Sequence, residues 1–231
     1  MKAVPALLLT AAGLAGAAAG FVALRHYAPA KGGLQALATS AIAATPAGPV
    51  EPAAPPARTI PALVPEVALP DLAGQSHALR DNAGHARLYN FWATWCEPCR
   101  REIPLLNQLQ ERHRNEGLQV VGIAVDFRDS VQAFLRKTRL RYTLLVGEED
   151  GLEAAQKFGM DLLLPFSVFA DEGNRIVAVK VGELHRDEAE AILAEMRRLK
   201  AGQITLPAAQ SDIAATLRKL GLERTKQSSA Q

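Results

Sequence analysis

The residues of this sequence with the clearest chemistry are its two cysteines, Cys96 and Cys99, which form one Cys-x-x-Cys motif in a chain of 231 residues. A helix predicted to begin near Glu97 would place Cys96 at its N-terminus, where unpaired N–H groups and the helix dipole stabilise a thiolate. Such positions lower a cysteine pKa from about 8.5 to as little as about 3.5, and the thiolate is the nucleophile of disulfide exchange. With Cys99 one helical turn further along the same face, the motif predicts a nucleophile and its resolving partner.

Two structural interpretations of the cysteine pair compete with the redox one. A zinc ribbon needs four ligands, usually two Cys pairs, and the five histidines show no ligand spacing, so we expect no metal site. A structural disulfide across two residues would constrain the unfolded chain little. We therefore predict a redox-active disulfide between Cys96 and Cys99, with no separate cofactor. The histidines are His26, His77, His85, His113 and His185.

Composition excludes one broad class of function. The formal net charge is only +2, and no Lys/Arg-rich block or aromatic-interleaved basic stripe is present, so nucleic-acid binding is not expected. Aromatic residues make up 5% of the chain, yet Phe91, Trp92 and Trp95 crowd the cysteines. We expect these rings to shield the sulfur pair from water.

The N-terminal segment Ala3–Leu24 contains no charged residue and would form a helix about 33 Å long, enough for a hydrocarbon core of about 30 Å. We predict an uncleaved membrane anchor in residues 1–27; the alternative is a signal peptide cleaved near Ala17–Ala19. Residues 28–64 are rich in alanine and proline and predict a flexible linker. An oxidising exterior suits a cysteine pair that must cycle. We therefore expect a bacterial inner-membrane protein whose catalytic domain lies in the periplasm.

Hydrophobic patterning predicts alternating strands and helices in residues 65–201. Strands are predicted at Glu66–Leu69, Ser76–Leu79, Arg87–Trp92, Leu118–Val125, Thr143–Val146, Phe166–Phe169 and Ile176–Val181. Helices are predicted at Glu97–Asn115, Asp129–Arg139, Gly151–Phe158 and Asp187–Leu199. This order indicates an α/β fold with a mixed central sheet and helices on both faces. In residues 202–231 we predict an extra helix, Ser211–Leu220, ended by Gly221, and a disordered tail from Glu223.

The run Asn90–Pro104, NFWATWCEPCRREIP, resembles the thioredoxin superfamily and, within it, the membrane-anchored TlpA-like branch that includes reductases of cytochrome c maturation. The resemblance covers about residues 66–200 and the anchor–linker layout. It implies a thioredoxin fold with an N-terminal β-hairpin extension, and it implies an extracytoplasmic thiol-disulfide oxidoreductase.

The resemblance also implies a role for individual residues. Cys96 is similar to the exposed nucleophile that forms a mixed disulfide, and Cys99 is similar to the buried thiol that resolves it. Glu102 matches an acidic residue of this branch and would exchange protons with the thiols; alternatively, it is a first-turn carboxylate that complements the helix dipole. Thioredoxins carry an aspartate in the preceding strand where this chain has Asn90, which leaves proton handling to another group.

Substrate contacts follow from the same resemblance. Pro165 is similar to a cis-proline that lies beside the cysteines, although the branch often has Gly-x-Pro-Thr where this chain has Leu-Leu-Pro-Phe. The alternative is an ordinary trans proline that opens a strand. The residues expected to contact substrate are Trp95, Glu97, Pro98, Leu164 and Pro165.

We predict a protein-disulfide reductase. Pro98 lacks an N–H group and Glu97 adds negative charge, and both favour a less acidic thiol than a strong oxidant has. The expected partners are protein disulfides, such as those of apocytochrome c or copper-site proteins, and a membrane thiol transporter that recharges the pair. One alternative is a dithiol oxidase or isomerase. The other is a Cu(I)-handling protein, since two thiolates suit Cu(I), although no extra Met or His lies near the cysteines.

Overall fold

A computed structural model describes residues 59–81, 84–161 and 163–229 of the chain. The predicted anchor and most of the predicted linker lie outside these residues. Within the three described ranges, none of the helices combines the length and the apolar character that crossing a bilayer would require.

The described residues form strands and helices that alternate through the middle of the chain. In chain order, the elements are β1 (Ala68–Pro70), β2 (Ser76–Ala78), β3 (Ala86–Trp92), α1 (Glu97–His113), β4 (Leu118–Ala124), α2 (Arg128–Leu135), β5 (Thr143–Val146), α3 (Glu149–Lys157), β6 (Phe166–Ala170), β7 (Ile176–Val181), α4 (Arg186–Lys200) and α5 (Leu206–Ser229). A short 3₁₀ turn, Arg114–Glu116, follows α1.

Five of the strands form one mixed sheet in the order β5-β4-β3-β6-β7. The central strand β3 runs parallel to β4 and antiparallel to β6, while β1 and β2 form a separate antiparallel hairpin. An isolated bridge between Asp71 and Leu145 connects the end of this hairpin to the outer strand β5. The predicted mixed sheet and the predicted N-terminal hairpin are both confirmed.

Helices cover both faces of the sheet because β3 directs alternate apolar side chains to opposite sides. Leu88 belongs to the cluster that holds Leu109 of α1 and the buried face of α4. Phe91 points the other way and meets the Phe158 ring, just after α3, edge to face at 5.5 Å between centroids. Burial on both faces makes most of β3 apolar, although the buried polar residues Arg87 and Asn90 interrupt the run.

The folded domain starts earlier than the predicted boundary at residue 65. Val64 is completely buried and its N–H donates to the Asn174 carbonyl at 2.9 Å. Leu63 forms a bridge with Arg175 beside the outer strand β7. The last residues of the predicted linker therefore pair with the β6–β7 hairpin.

The C-terminal segment also differs from the sequence prediction, because α5 passes through Gly221 and stays helical to Ser229. A glycine inside a helix costs only about 1 kcal/mol relative to alanine. Tertiary contacts made by the residues after Gly221 therefore decide whether the helix continues. Arg224, in the segment predicted to be disordered, reaches Asp187 and Glu188 at the start of α4, at 3.1 and 2.8 Å. These ion pairs explain why the helix continues.

Candidate active site

Cys96 is the N-cap residue of α1, with φ −83° and ψ 106°, as the sequence predicts. Its Sγ accepts the N–H of Cys99 at 3.3 Å, and the two residues form a disulfide. Pro98 lies in the first turn, where a missing N–H leaves no helix bond unmade. Cys96 retains 5% exposure and Cys99 none, so an incoming sulfur atom meets Cys96 first.

The turn before Cys96 is held by a residue that sequence analysis missed, Asp126. Its Oδ2 accepts the Thr94 N–H at 2.9 Å and the Thr94 hydroxyl at 2.6 Å. Asp126 follows β4, and the carboxyl ends of the parallel strands β3 and β4 lie at the same sheet edge. The sequence did carry a signal for this contact. Asp126 comes shortly after β4, and β4 lies beside β3, the strand that leads into the cysteine motif.

Glu102 lies on α1, one turn beyond Cys99, and is 2% exposed. Its Oε1 accepts the Asn90 side-chain amide at 2.7 Å, and its Oε2 accepts the Leu184 N–H at 2.8 Å. Burial raises the pKa of Glu102 to about 7, although both hydrogen bonds act in the opposite direction. This environment is a desolvated interior rather than the solvated first turn of the alternative interpretation.

A short chain of polar groups crosses the sheet beneath Glu102. The Asn90 amide that reaches Glu102 also donates to the hydroxyl of Ser167 on β6 at 3.1 Å. Asn90 and Ser167 are both buried. Buried polar groups need such partners, so Asn90 acts here as a neutral donor to the carboxylate.

Pro165 precedes β6, and the Leu164–Pro165 peptide bond is cis, which excludes the trans alternative. Leu164 packs against the apolar cluster that contains both cysteines. The Pro165 carbonyl accepts the Gly182 N–H at 2.8 Å. The structure therefore brings this loop to the disulfide, as the resemblance implies.

The other predicted substrate-contact residues lie around Cys96 with differing exposure. Trp95 is 63% exposed, Pro98 is half-buried, and Glu97 is exposed and paired with Arg101 at 3.1 Å. A groove of about 450 Å³ runs beside Trp95. Its lining residues are Thr94, Trp95, Val125, Asp126, Phe127, Ser130, Glu148 and Leu152.

Comparison with known proteins agrees with this geometry. The model of the Redoxin family matches residues 59–194. Thiol-disulfide oxidoreductase ResA of Geobacillus kaustophilus is 28% identical over 134 residues, which are 58% of this chain and 75% of the relative. Thioredoxin-like protein YneN of Bacillus subtilis is 30% identical over 132 residues, 54% of this chain and 74% of the relative.

Among solved structures, a protein assigned as thiol:disulfide interchange protein DsbE from Chlorobium tepidum superposes with a TM-score of 0.51 at 25% identity. The match covers 67% of this chain and 95% of that one. Together with the Cys96–Cys99 disulfide, these likenesses place the chain in the Redoxin family, as a thiol-disulfide oxidoreductase of the TlpA- and ResA-like kind within the thioredoxin superfamily.

Proposed function

We propose that this enzyme reduces disulfides of partner proteins outside the cytoplasm, with Cys96 as nucleophile and Cys99 as resolving thiol. The observation that carries the proposal is the asymmetry of the pair: Cys96 caps α1 and keeps some exposure, whereas Cys99 is completely buried. The thiol-disulfide oxidoreductase and interchange proteins to which the chain is similar support the same chemistry.

The reaction starts from the dithiol form. The Cys96 thiolate attacks one sulfur of the substrate disulfide, a Cys96–substrate disulfide forms, and the first substrate thiolate leaves and takes up a proton. Cys99 then loses its proton and attacks the Cys96 sulfur, which closes the Cys96–Cys99 disulfide and releases the second substrate thiolate. Two electrons pass from enzyme to substrate. The dithiol gives up two protons, one when Cys96 ionises before the attack and one from Cys99, and the two released substrate thiolates take up two protons.

Glu102 is proposed as the proton-exchanging group of this cycle. With a pKa of about 7, it is present in both protonation states near neutral pH, which is the condition for efficient acid–base exchange. Residues three apart on a helix are neighbours, so Glu102 lies beside Cys99, the thiol that must lose its proton in the second step.

The first turn of α1 supports the reducing direction. Pro98 removes one N–H that could stabilise the Cys96 thiolate, and the carboxylate of Glu97 adds negative charge beside it. Both raise the free energy of the thiolate and so favour the oxidised enzyme, which makes the dithiol the better reductant.

The surface around Cys96 suits a protein substrate. Exposed apolar side chains lie on three loops at this end of the sheet: Trp95 is 63% exposed, Phe127 59% and Leu163 51%. Exposed aromatic and apolar groups close to a reactive sulfur are typical of a surface that contacts a polypeptide. We propose that these loops hold the segment that carries the substrate disulfide, with apocytochrome c and copper-site proteins as candidate substrates.

The cellular setting is proposed from the sequence. The apolar segment Ala3–Leu24 would tether the domain to the bacterial inner membrane, and the Ala/Pro-rich linker would let it reach partners in the periplasm. After each turnover the disulfide must regain two electrons, and a membrane thiol transporter is the proposed donor.

The decisive measurement is the midpoint potential of the Cys96–Cys99 disulfide against glutathione and dithiothreitol buffers. A value near or below the roughly −270 mV of thioredoxin is expected. A value near the roughly −120 mV of a strong oxidant would make the protein an oxidase or isomerase instead. Cys96→Ser and Cys99→Ser should each abolish turnover, and only the Cys99 variant should accumulate the mixed disulfide. A stable stoichiometric Cu(I) complex of the dithiol form would favour copper handling.

A further inference from the structure

The four-residue loop Gly182–His185, which connects β7 to α4, touches two parts of the active site. Its first residue donates the Gly182 N–H to the carbonyl of Pro165 at 2.8 Å. Gly182 has φ +83°, a conformation that favours glycine. Two residues later, the Leu184 N–H donates to Oε2 of Glu102 at 2.8 Å. The loop therefore links the cis-proline to the buried active-site carboxyl group.

The next N–H of the same loop serves a second buried carboxyl group. The His185 N–H donates to Glu188 Oε2 at 3.0 Å, and Glu188 is 2% exposed. Two cations compensate its charge: Lys180 Nζ at 3.7 Å and Arg224 Nη2 at 2.8 Å from Oε1. Buried carboxylates of this kind require such pairing.

Arg224 is the unexpected member of this group, because it lies on α5, beyond the matched range 59–194 of the family model. Its guanidinium also reaches Asp187 at 3.1 Å. An element outside the matched region thus supplies the closest cation to Glu188. Glu188 and Glu102 accept hydrogen bonds from neighbouring N–H groups of the Gly182–His185 loop.

Lys180 connects the two carboxyl groups electrostatically. It pairs with Glu188, and its positive charge also lowers the pKa of Glu102, against the larger effect of burial. Without Arg224, Lys180 would be the remaining cation paired with Glu188. The loss of one positive charge would make the surroundings of Glu102 more negative. The charged and polar groups that act on Glu102 from the surrounding elements are Asn90 of β3, Lys180 of β7, Glu183 and the Leu184 N–H of the loop, and Tyr142 before β5.

We propose that Arg224 is a positioning residue for the redox site: by neutralising Glu188, which is bound by the loop N–H next to the one that binds Glu102, it keeps Lys180 available to Glu102. The effect of this on turnover rests on the proposed role of Glu102 in proton exchange. The titration of Glu102 itself does not depend on that role.

The test is the titration of the Glu102 carboxyl carbon by NMR in the oxidised full-length protein labelled with ¹³C-glutamate, assigned by its loss in Glu102→Gln. Arg224→Gln removes the cation and should move the titration midpoint up by about half a pH unit, about a threefold weaker acid. Glu188→Gln removes the anion and should move the midpoint down. A merely loosened structure would not produce opposite signs.

Two control variants complete the design. Arg218→Gln changes an exposed arginine of α5 for which the described part of the chain shows no ion pair, and it should leave the midpoint unchanged. Arg224→Lys keeps the charge and should retain the wild-type midpoint, even if the shape of the contact changes.

The proposal is overturned if Arg224→Gln titrates like the wild type, or if Arg224→Gln and Glu188→Gln move the midpoint in the same direction. If circular dichroism shows that Arg224→Gln does not fold, the titration midpoints of Glu188→Gln and Arg224→Lys decide the proposal instead. The proposed reductase function fails on a different measurement, the midpoint potential, so the two outcomes are separable.

Discussion

At the scale of single residues, Glu102 shows how burial and hydrogen bonding compete. The Asn90 amide and the Leu184 N–H both favour the carboxylate, yet desolvation is the larger effect and raises the pKa to about 7. Near pH 6 the Glu102 side chain is therefore mostly protonated in the folded state and mostly ionised in the unfolded chain. Folding stability must therefore depend on pH through this residue.

The sign of this dependence follows from the raised pKa. Between the unfolded value of about 4.5 and the folded value of about 7, the folded state binds more protons, so the contribution is fully present below pH 4.5 and is lost as pH rises to 7. We expect the wild type to lose about 2 to 3 kcal/mol relative to Glu102→Gln between pH 5 and pH 8. Urea unfolding of the oxidised proteins at several pH values measures the difference. Glu97→Gln, at an exposed position, should keep the wild-type slope, and an equal slope in Glu102→Gln would contradict the explanation.

At the scale of elements, the ends of β3 and β4 build the turn that presents Cys96. The two strands pair in parallel register up to Trp92 and Ala124, and the chain then places Asp126 against the backbone and hydroxyl of Thr94. The shape of the active-site turn is thus fixed by a neighbouring strand and not only by the motif itself.

Asp126→Ala should therefore destabilise the domain by about 2 kcal/mol, because it leaves the N–H and hydroxyl of the half-buried Thr94 without their acceptor. It should also alter the rate at which reduced Cys96 is alkylated, since the turn before the helix loses its support. Urea unfolding and iodoacetamide kinetics measure the two effects. Asp129→Ala, an exposed change three residues later, should show neither, and matching behaviour of the two variants would argue against the role of Asp126.

The same elements show what the sequence could and could not predict. The strands β5 and β7 were predicted at their exact bounds because apolar residues dominate both runs. The predicted start of α2 was wrong by one residue: the helix was expected to begin at Asp129, but it begins at Arg128 with Phe127 as N-cap and no side-chain cap. Asp126 explains the difference, since it accepts the Phe127 N–H at 2.8 Å.

The site divides in a similar way. Local patterns and the family resemblance located Cys96, Cys99, Glu102 and Pro165, because each belongs to a short motif. The contact between Glu102 and the Leu184 N–H joins residues 82 positions apart. Nearly every residue has a backbone N–H, so the sequence does not show which one binds the carboxylate. Contacts of this kind depend on the tertiary structure and could not be predicted.

At the scale of the whole molecule, α5 extends the hydrophobic core beyond the region matched by the family model. Ile213 is 3% exposed and belongs to the cluster that contains Leu193 and Met196 of α4. Gln210, on the same helix, donates to the Ile176 carbonyl of β7 at 2.9 Å. The helix is thus an integral part of the domain.

Ile213→Ala should lower the free energy of unfolding by about 2 to 4 kcal/mol, because it removes buried methyl groups and leaves a cavity under α5. Leu222→Ala is the matched control on the same helix, where the side chain is 65% exposed, and it should change stability by less than about 0.5 kcal/mol. Chemical denaturation of both variants measures the contrast. A loosely attached helix would give two equally small effects.

The bridges at the two outer strands have a consequence for behaviour at high protein concentration. Asp71 occupies a position beside Leu145 on β5, and Leu63 occupies a position beside Arg175 next to β7. Unpaired strand edges are templates on which other chains add and aggregate. Each edge thus carries a short segment of the same chain, and the sheet offers less backbone for edge-to-edge growth. We expect these segments to reduce self-association through the sheet edges.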